Sequence, residues 1–158
     1  YKTGTLARMA AKIAAVLAGA EDEVVEEMGK FAESIGVSFQ IQDDVLDIVG
    51  AEFAKGKGGL GGDITEGKRS LMVIHALRRA DPFDKRRLIS ILDAHTTDGD
   101  LRQEAISILN KYGSVEYAKS VAERLKRETI DKVDKMIPPS KAKDRLIALA
   151  NYLIERNI

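Results

Sequence analysis

Apolar residues recur every three to four positions along most of this chain, and no stretch alternates in the two-residue period of a half-buried strand. Helix-forming residues dominate, and the three prolines, Pro82, Pro138 and Pro139, fall between periodic segments. The pattern predicts an all-α chain. A first helix covers about Thr5 to Ala18, with Gly19 as its stop. A long second helix runs from about Asp22 to Val49 and is closed by Gly50. Glu21, Asp22 and Glu23 suit its first turn, where acids meet the positive end of the helix dipole. Further helices are expected at about Thr65–Arg79, Asp84–Ala94, Gly99–Lys111, Val115–Lys135 and Lys141–Arg156. Asp84, Asp98 and Ser114 are their candidate caps, and Pro138-Pro139 separates the last two. With no internal repeat and no low-complexity linker, the expectation is an antiparallel helical array forming a single domain over residues 1–158.

The chain has 158 residues, enough for one cored domain or for half of a larger one. Lys plus Arg and Asp plus Glu each number 25, so the net charge is zero. That balance gives no global attraction to nucleic acid or to an anionic membrane. The absence of cysteine rules out disulfides and thiolate metal sites. No apolar run approaches the roughly 20 residues that span a bilayer, and no basic-then-apolar leader is seen, so the expected location is the cytoplasm. A chain opening on Tyr1-Lys2-Thr3 is expected to be a fragment or a processed piece.

The chemistry concentrates at the end of the second helix. In a helix, Gln40, Asp43, Asp44 and Asp47 follow an i, i+3, i+4, i+7 spacing and share one face. Phe39, Ile41, Val45, Leu46 and Ile48 cover much of the rest, so this helix is expected to be central. Acids at i and i+4 repel by a few tenths of a kcal/mol. The negative end of the helix adds roughly 0.3–1 kcal/mol per exposed acid. A cation relieves both penalties, although a solvated acidic patch is the plainer alternative. Hard carboxylate oxygens without calcium-loop spacing favour magnesium, its shell shared with phosphate and water.

Six of the thirteen glycines fall between Lys55 and Gly67, where lysines are embedded among them. Exposed amides and ammonium groups together suit a diphosphate, whereas a plain basic loop needs no ligand at all. Gly62 to Lys68 also satisfies G-x-x-x-x-G-K, but the next residue is Arg69 in place of the Ser or Thr that holds magnesium, and no apolar strand precedes it. The nucleotide P-loop is therefore rejected.

Taken in order, Lys2-Thr3, Phe39-Gln40 through Asp43-Asp44-x-x-Asp47, Gly56-Lys57, Gly62-Asp63 and Glu66-Gly67-Lys68-Arg69-Ser70 resemble the trans-isoprenyl diphosphate synthase (polyprenyl synthetase) family. Tyr112-Gly113-Ser114 with Tyr117-Ala118 also resembles its C-terminal region. The resemblance implies the C-terminal half of an isoprenoid-synthase helical bundle, a magnesium cofactor, and condensation of isopentenyl diphosphate with an allylic diphosphate to a longer trans-prenyl diphosphate. It implies Asp43, Asp44 and Asp47 as metal ligands, with Asp63 in the outer shell. Lys2 and Lys57 would contact the allylic diphosphate, Lys68 would support the phosphate region, and Thr3 and Gln40 would flank the carbocation. The stretch from Lys57 to Asp63 is about one residue longer than the family pattern, which leaves Lys55 as the alternative phosphate lysine. Arg156 is a candidate diphosphate contact, weighed against a solvated helix end.

The family's first aspartate-rich motif lies upstream of Lys-Thr, so the expected partners are the two substrates, a missing N-terminal half, and a second copy of the full enzyme in a homodimer. A short-chain product, farnesyl or geranylgeranyl diphosphate, is expected. Two other classes share part of the pattern: a non-catalytic or regulatory synthase subunit, and a fragment of a class I terpene cyclase. His75, following Leu71 to Ile74, is expected to be packed and hydrogen-bonded, and His95 to lie at the surface or at a cap.

Overall fold

The computed structural model describes residues 2–50 and 60–155, with the backbone alone at Lys2. Every regular element among the described residues is an α-helix. They are α1 (Lys2–Leu17), α2 (Asp22–Val49), α3 (Gly62–Thr65), α4 (Leu71–Arg79), α5 (Pro82–Asp93), α6 (Gly99–Lys111), α7 (Ser114–Met136) and α8 (Lys141–Glu155). No helix among them is long and apolar enough to cross a membrane.

The expected bounds of α2 and α6 coincide with the observed ones. The helix expected from Thr65 is instead two elements. Gly67 adopts a left-handed φ of 66° and ends the short α3, and Ser70 then caps α4 by accepting from the Val73 amide at 3.5 Å. The cap of α5 is Asp81, not Asp84: its Oδ1 accepts from the Phe83 and Asp84 amides, each at 2.9 Å. Pro82 then occupies the first helical position, where no N–H is needed. Asp84 is buried inside the helix and accepts from Tyr112 Oη at 2.8 Å and Lys111 Nζ at 2.5 Å. Asp98 caps α6 through the Asp100 and Leu101 amides.

The described residues group into two compact units, and α2 and α7 each contribute to both. The first comprises residues 1–40 and 121–157. Its core joins Phe31 and Ile35 of α2 to Val133 of α7 and Ala150 and Ile154 of α8. α1 lies against α2 at closely opposed glycines: a Cβ on Gly36 would come within 3.0 Å of Gly4 Cα. Two bridges accompany that approach, Arg8 Nη1 to Glu33 at 2.7 Å and Lys12 to Glu26. The buried Lys143 closes the α7 end by donating to the Asp134 and Ile137 carbonyls at 2.6 and 2.9 Å.

The second unit spans residues 41–120. α5 packs on α6, α4 packs on both, and the short α3 touches the same pair. Leu88, Leu92 and Leu109 are almost fully buried there, as is Val45 from the last turns of α2. Burial of this kind is worth about 1.5–3 kcal/mol per large aliphatic side chain, which fixes the end of α2 and the acids it carries.

Candidate functional site

Asp44 and Asp47 are both buried, one turn apart near the C-terminal end of α2. The returning chain closes over Asp47 through two backbone bonds. The Gly61 amide donates to the Asp47 carbonyl at 2.8 Å, and the Asp63 amide donates to Asp47 Oδ2 at 2.9 Å. Gly61, the residue preceding α3, has a left-handed φ of 81° and no side chain to cap the helix. Asp47 fills that role from α2, supplying a charged acceptor to a first-turn amide. The approach is close at the next position as well, where a Cβ on Gly62 would stand 3.1 Å from Asp47 Oδ1 and press on that carboxylate.

α3 places Asp63 in its first turn, and the chain then turns at Gly67 so that Lys68 reaches back. Lys68 Nζ donates to Asp44 Oδ1 at 2.7 Å and to Asp63 Oδ2 at 2.8 Å. Burial disfavours the charged ammonium, but the hydrogen bonds to Asp44 and Asp63 outweigh it and hold Lys68 above the usual lysine range. Asp63 gains less from the pair. Burial pushes its carboxyl up, the Lys68 bond offsets this only in part, and the neighbouring charges of Asp47 and Asp44 push it up further.

Asp44 and Asp63 thus share the Lys68 ammonium beside Asp47, and Asp43, half-buried, precedes Asp44 on α2. Burial is the first cause of the raised Asp63 carboxyl and the charges of Asp47 and Asp44 add to it; carboxylate oxygens are of the kind a hard dication takes. Among the described residues no three acidic or histidine side chains converge to hold a metal ion by themselves. Carboxylate oxygens are the donor type that magnesium takes, and phosphate and water would complete its shell.

In the first unit, Thr3 Oγ1 donates to Gln40 Oε1 at 3.1 Å, joining two of the expected site residues. Thr3 also helps line a groove of about 350 Å³ with Ala7, Phe39, Leu146, Leu149 and Leu153. Among the described residues Thr3 is the one polar side chain of that lining, so they offer the groove mainly hydrocarbon contact. Lys57, its alternative Lys55, and Arg156 lie outside the described residues, as does the side chain of Lys2.

Sequence reasoning did not foresee Asp47 as the cap of α3. The two lie 16 residues apart, and only the Gly61-Gly62 pair hinted at a close approach. His75 is packed and hydrogen-bonded as expected: its ring stacks on Tyr117 with centroids 4.1 Å apart and bonds Ser114 Oγ at 3.0 Å. His95 is exposed at the end of α5, with Nδ1 3.2 Å from the Thr65 carbonyl.

The family model for polyprenyl synthetases matches residues 1–109. A short chain isoprenyl diphosphate synthase of Methanothermobacter thermautotrophicus is 39% identical over 98% of this chain and 46% of its own length. A geranylgeranyl diphosphate synthase of Methanosarcina mazei is 36% identical over 98% of this chain and 45% of its own. The crystal structure of geranylgeranyl pyrophosphate synthetase from Pyrococcus horikoshii superposes with a TM-score of 0.87 at 34% identity, covering 98% of this chain and 46% of that one. The chain thus spans about half the length of the relatives it matches.

Proposed function

Since the chain belongs to the polyprenyl synthetase family, we propose that it is the C-terminal half of a magnesium-dependent trans-prenyl diphosphate synthase making a short-chain product of the farnesyl or geranylgeranyl type. The observation that carries this reading is the set of Asp44, Asp47, Asp63 and Lys68 gathered at the end of α2. A buried acid cluster bonded by Lys68 suits a polyanionic substrate arriving with its metal. Relatives named for geranylgeranyl and short-chain products support the product class.

In this reading Asp43, Asp44 and Asp47 hold magnesium, with Asp63 behind them, and the metal supplies positive charge against the diphosphate. Lys2 and Lys57 contact the allylic diphosphate oxygens and favour the charge that builds there as the allylic carbon–oxygen bond breaks. Lys68 keeps Asp44 and Asp63 from repelling each other while the substrate is absent. Thr3 and Gln40, tied by their hydrogen bond, turn oxygen dipoles toward the allylic cation. The double bond of isopentenyl diphosphate then attacks, a carbon–carbon bond forms, and the proton lost from the adduct passes to the released diphosphate. The complete enzyme works in the cytoplasm as a homodimer.

The chain alone is expected to be inactive, because one acidic motif does not complete the metal site. The test is to supply the complementary half, taken from the part of the Methanothermobacter synthase outside the match, and to follow isopentenyl diphosphate consumption with magnesium and an allylic diphosphate. Formation of a longer prenyl diphosphate supports the reading. A hydrocarbon or alcohol product, or no consumption by the assembled protein, overturns it.

A further inference from the structure

We propose that the cleft between α4 and the first turns of α7 binds a small phosphate-bearing ligand through Arg78 and Arg79. The cleft measures about 330 Å³ and is lined by His75, Arg78, Arg79 and Tyr117. That is room for a phosphorylated small molecule and not for a polymer. His75, Arg78 and Arg79 follow an i, i+3, i+4 spacing, which brings them to one side of α4.

Basic residues in the last turn of a helix commonly do no more than offset its negative end. Two observations set this pair apart. The first is that Arg79 is held in place before any ligand arrives. Its Nε donates to His75 Nε2 at 3.0 Å. The imidazole is fixed in turn by Ser114 Oγ at 3.0 Å and by its stack on Tyr117. Ser114 is fully buried, so this run of contacts is anchored in the packed interior. With Nε engaged, the two terminal nitrogens of Arg79 have no protein partner among the described residues, and they form an edge that suits an oxyanion.

The second observation is charge. Arg87 and Lys111, in the same unit, are paired with Glu104 and Asp84. Among the described residues neither Arg78 nor Arg79 enters an ion pair, with Glu116 beside Tyr117 or with any other acid. Asp81, the acid nearest them in sequence, is engaged by the Phe83 and Asp84 amides and by Tyr112 Oη. Two guanidiniums without a carboxylate favour an anion with several oxygens, and phosphate can accept from both. None of the four lining residues belongs to the cluster of Asp44, Asp47 and Asp63, so binding is expected without magnesium and does not rest on the function proposed above.

The test uses the two histidines of the full chain as reporters, since His75 lines the cleft and His95 lies against Gly67. Inorganic phosphate, inorganic diphosphate and adenosine monophosphate are each titrated at constant ionic strength with EDTA present. The imidazole C–H resonance of His75 should shift and saturate with a midpoint of about 1 mM or below, while that of His95 stays in place. Changing both Arg78→Gln and Arg79→Gln should weaken binding at least tenfold, measured by calorimetry because the substitutions themselves move the His75 signal. Adenosine monophosphate binding tenfold tighter than inorganic phosphate would make the ligand an organic phosphate, and equal binding would make it free phosphate.

No saturable His75 shift up to about 20 mM of any of the three would overturn the site. So would parallel shifts of both histidines, or unchanged affinity in the double variant. A shift of His95 alone would place the anion at the Gly67–Lys68 turn and equally refute the cleft.

Discussion

Lys68 bonds Asp44 at 2.7 Å across 24 residues of chain, and the same ammonium holds Asp63 at 2.8 Å. Its removal has two separable consequences. Lys68→Met leaves Asp44 and Asp63 without that partner and should lower stability by about 1–3 kcal/mol, measured as a shift in denaturant midpoint at constant m value. It also removes the competitor for those oxygens. Millimolar magnesium should therefore raise the melting temperature of the variant more than that of the parent chain. An equal response in both proteins would show that the lysine and the metal do not share these carboxylates.

The helices themselves were legible because helix periodicity is local. The bounds of α2 and α6 follow from their apolar spacing and end signals alone. The errors occur where a distant contact overrides a local preference. Thr65 to Ser70 reads as helix, yet Gly67 turns left-handed and the chain restarts at Leu71. Asp84 reads as a cap, but Asp81 with Pro82 behind it makes the better one, and Asp84 is buried against Tyr112 and Lys111. At the site, residue types and order marked the acids and Lys68 as belonging together. Which acid meets which donor was not legible, because the fold of α3 over α2 decides that Asp47 receives an amide while Asp44 receives the ammonium.

Gly67 sets the direction in which Lys68 returns. Its φ is 66°, and an added Cβ would lie 2.8 Å from the Leu92 carbonyl oxygen and 2.6 Å from His95 Cε1. The left-handed backbone costs a side chain about 1 kcal/mol, and the clash with a main-chain atom adds to it. Gly67→Ala should therefore destabilise by about 2–3 kcal/mol in urea unfolding. His95→Ala removes one of the two clashing groups, so the double variant should lose less than the two single changes summed. Strict additivity would mean that the Leu92 carbonyl alone sets the cost.

Asp43 is expected to act on the substrate's metal rather than on the fold, since it is half-buried and outside the ladder of bonds that closes over Asp47. In the protein completed with its other half, Asp43→Ala should reduce turnover by about two orders of magnitude or more, the scale of losing a group that stabilises developing charge. The circular dichroism spectrum and melting temperature should stay near those of the parent. Full turnover in the variant would remove Asp43 from the metal set, and a collapsed melting temperature would make it a structural residue.

His75 gives the chain a pH dependence whose sign follows from its partners. Arg79 Nε, which can only donate, bonds His75 Nε2 at 3.0 Å. That nitrogen therefore carries the lone pair, and Nδ1–H donates to Ser114 Oγ at 3.0 Å. Protonation would set a second N–H against the Arg79 guanidinium. Burial first, and the Arg79 charge after it, hold the imidazole below its ordinary value of 6.5. The unfolded chain thus takes up a proton at a higher pH than the folded one does. This contribution to stability is complete above pH 6.5 and is lost as the pH falls below it toward the depressed folded-state value. His75→Asn should flatten that part of the stability profile while leaving the acid limb set by the carboxylates. Parallel profiles for the two proteins between pH 7 and pH 5 would show that His75 titrates alike in the folded and unfolded chain, and the Arg79 bond would then not be what fixes its tautomer.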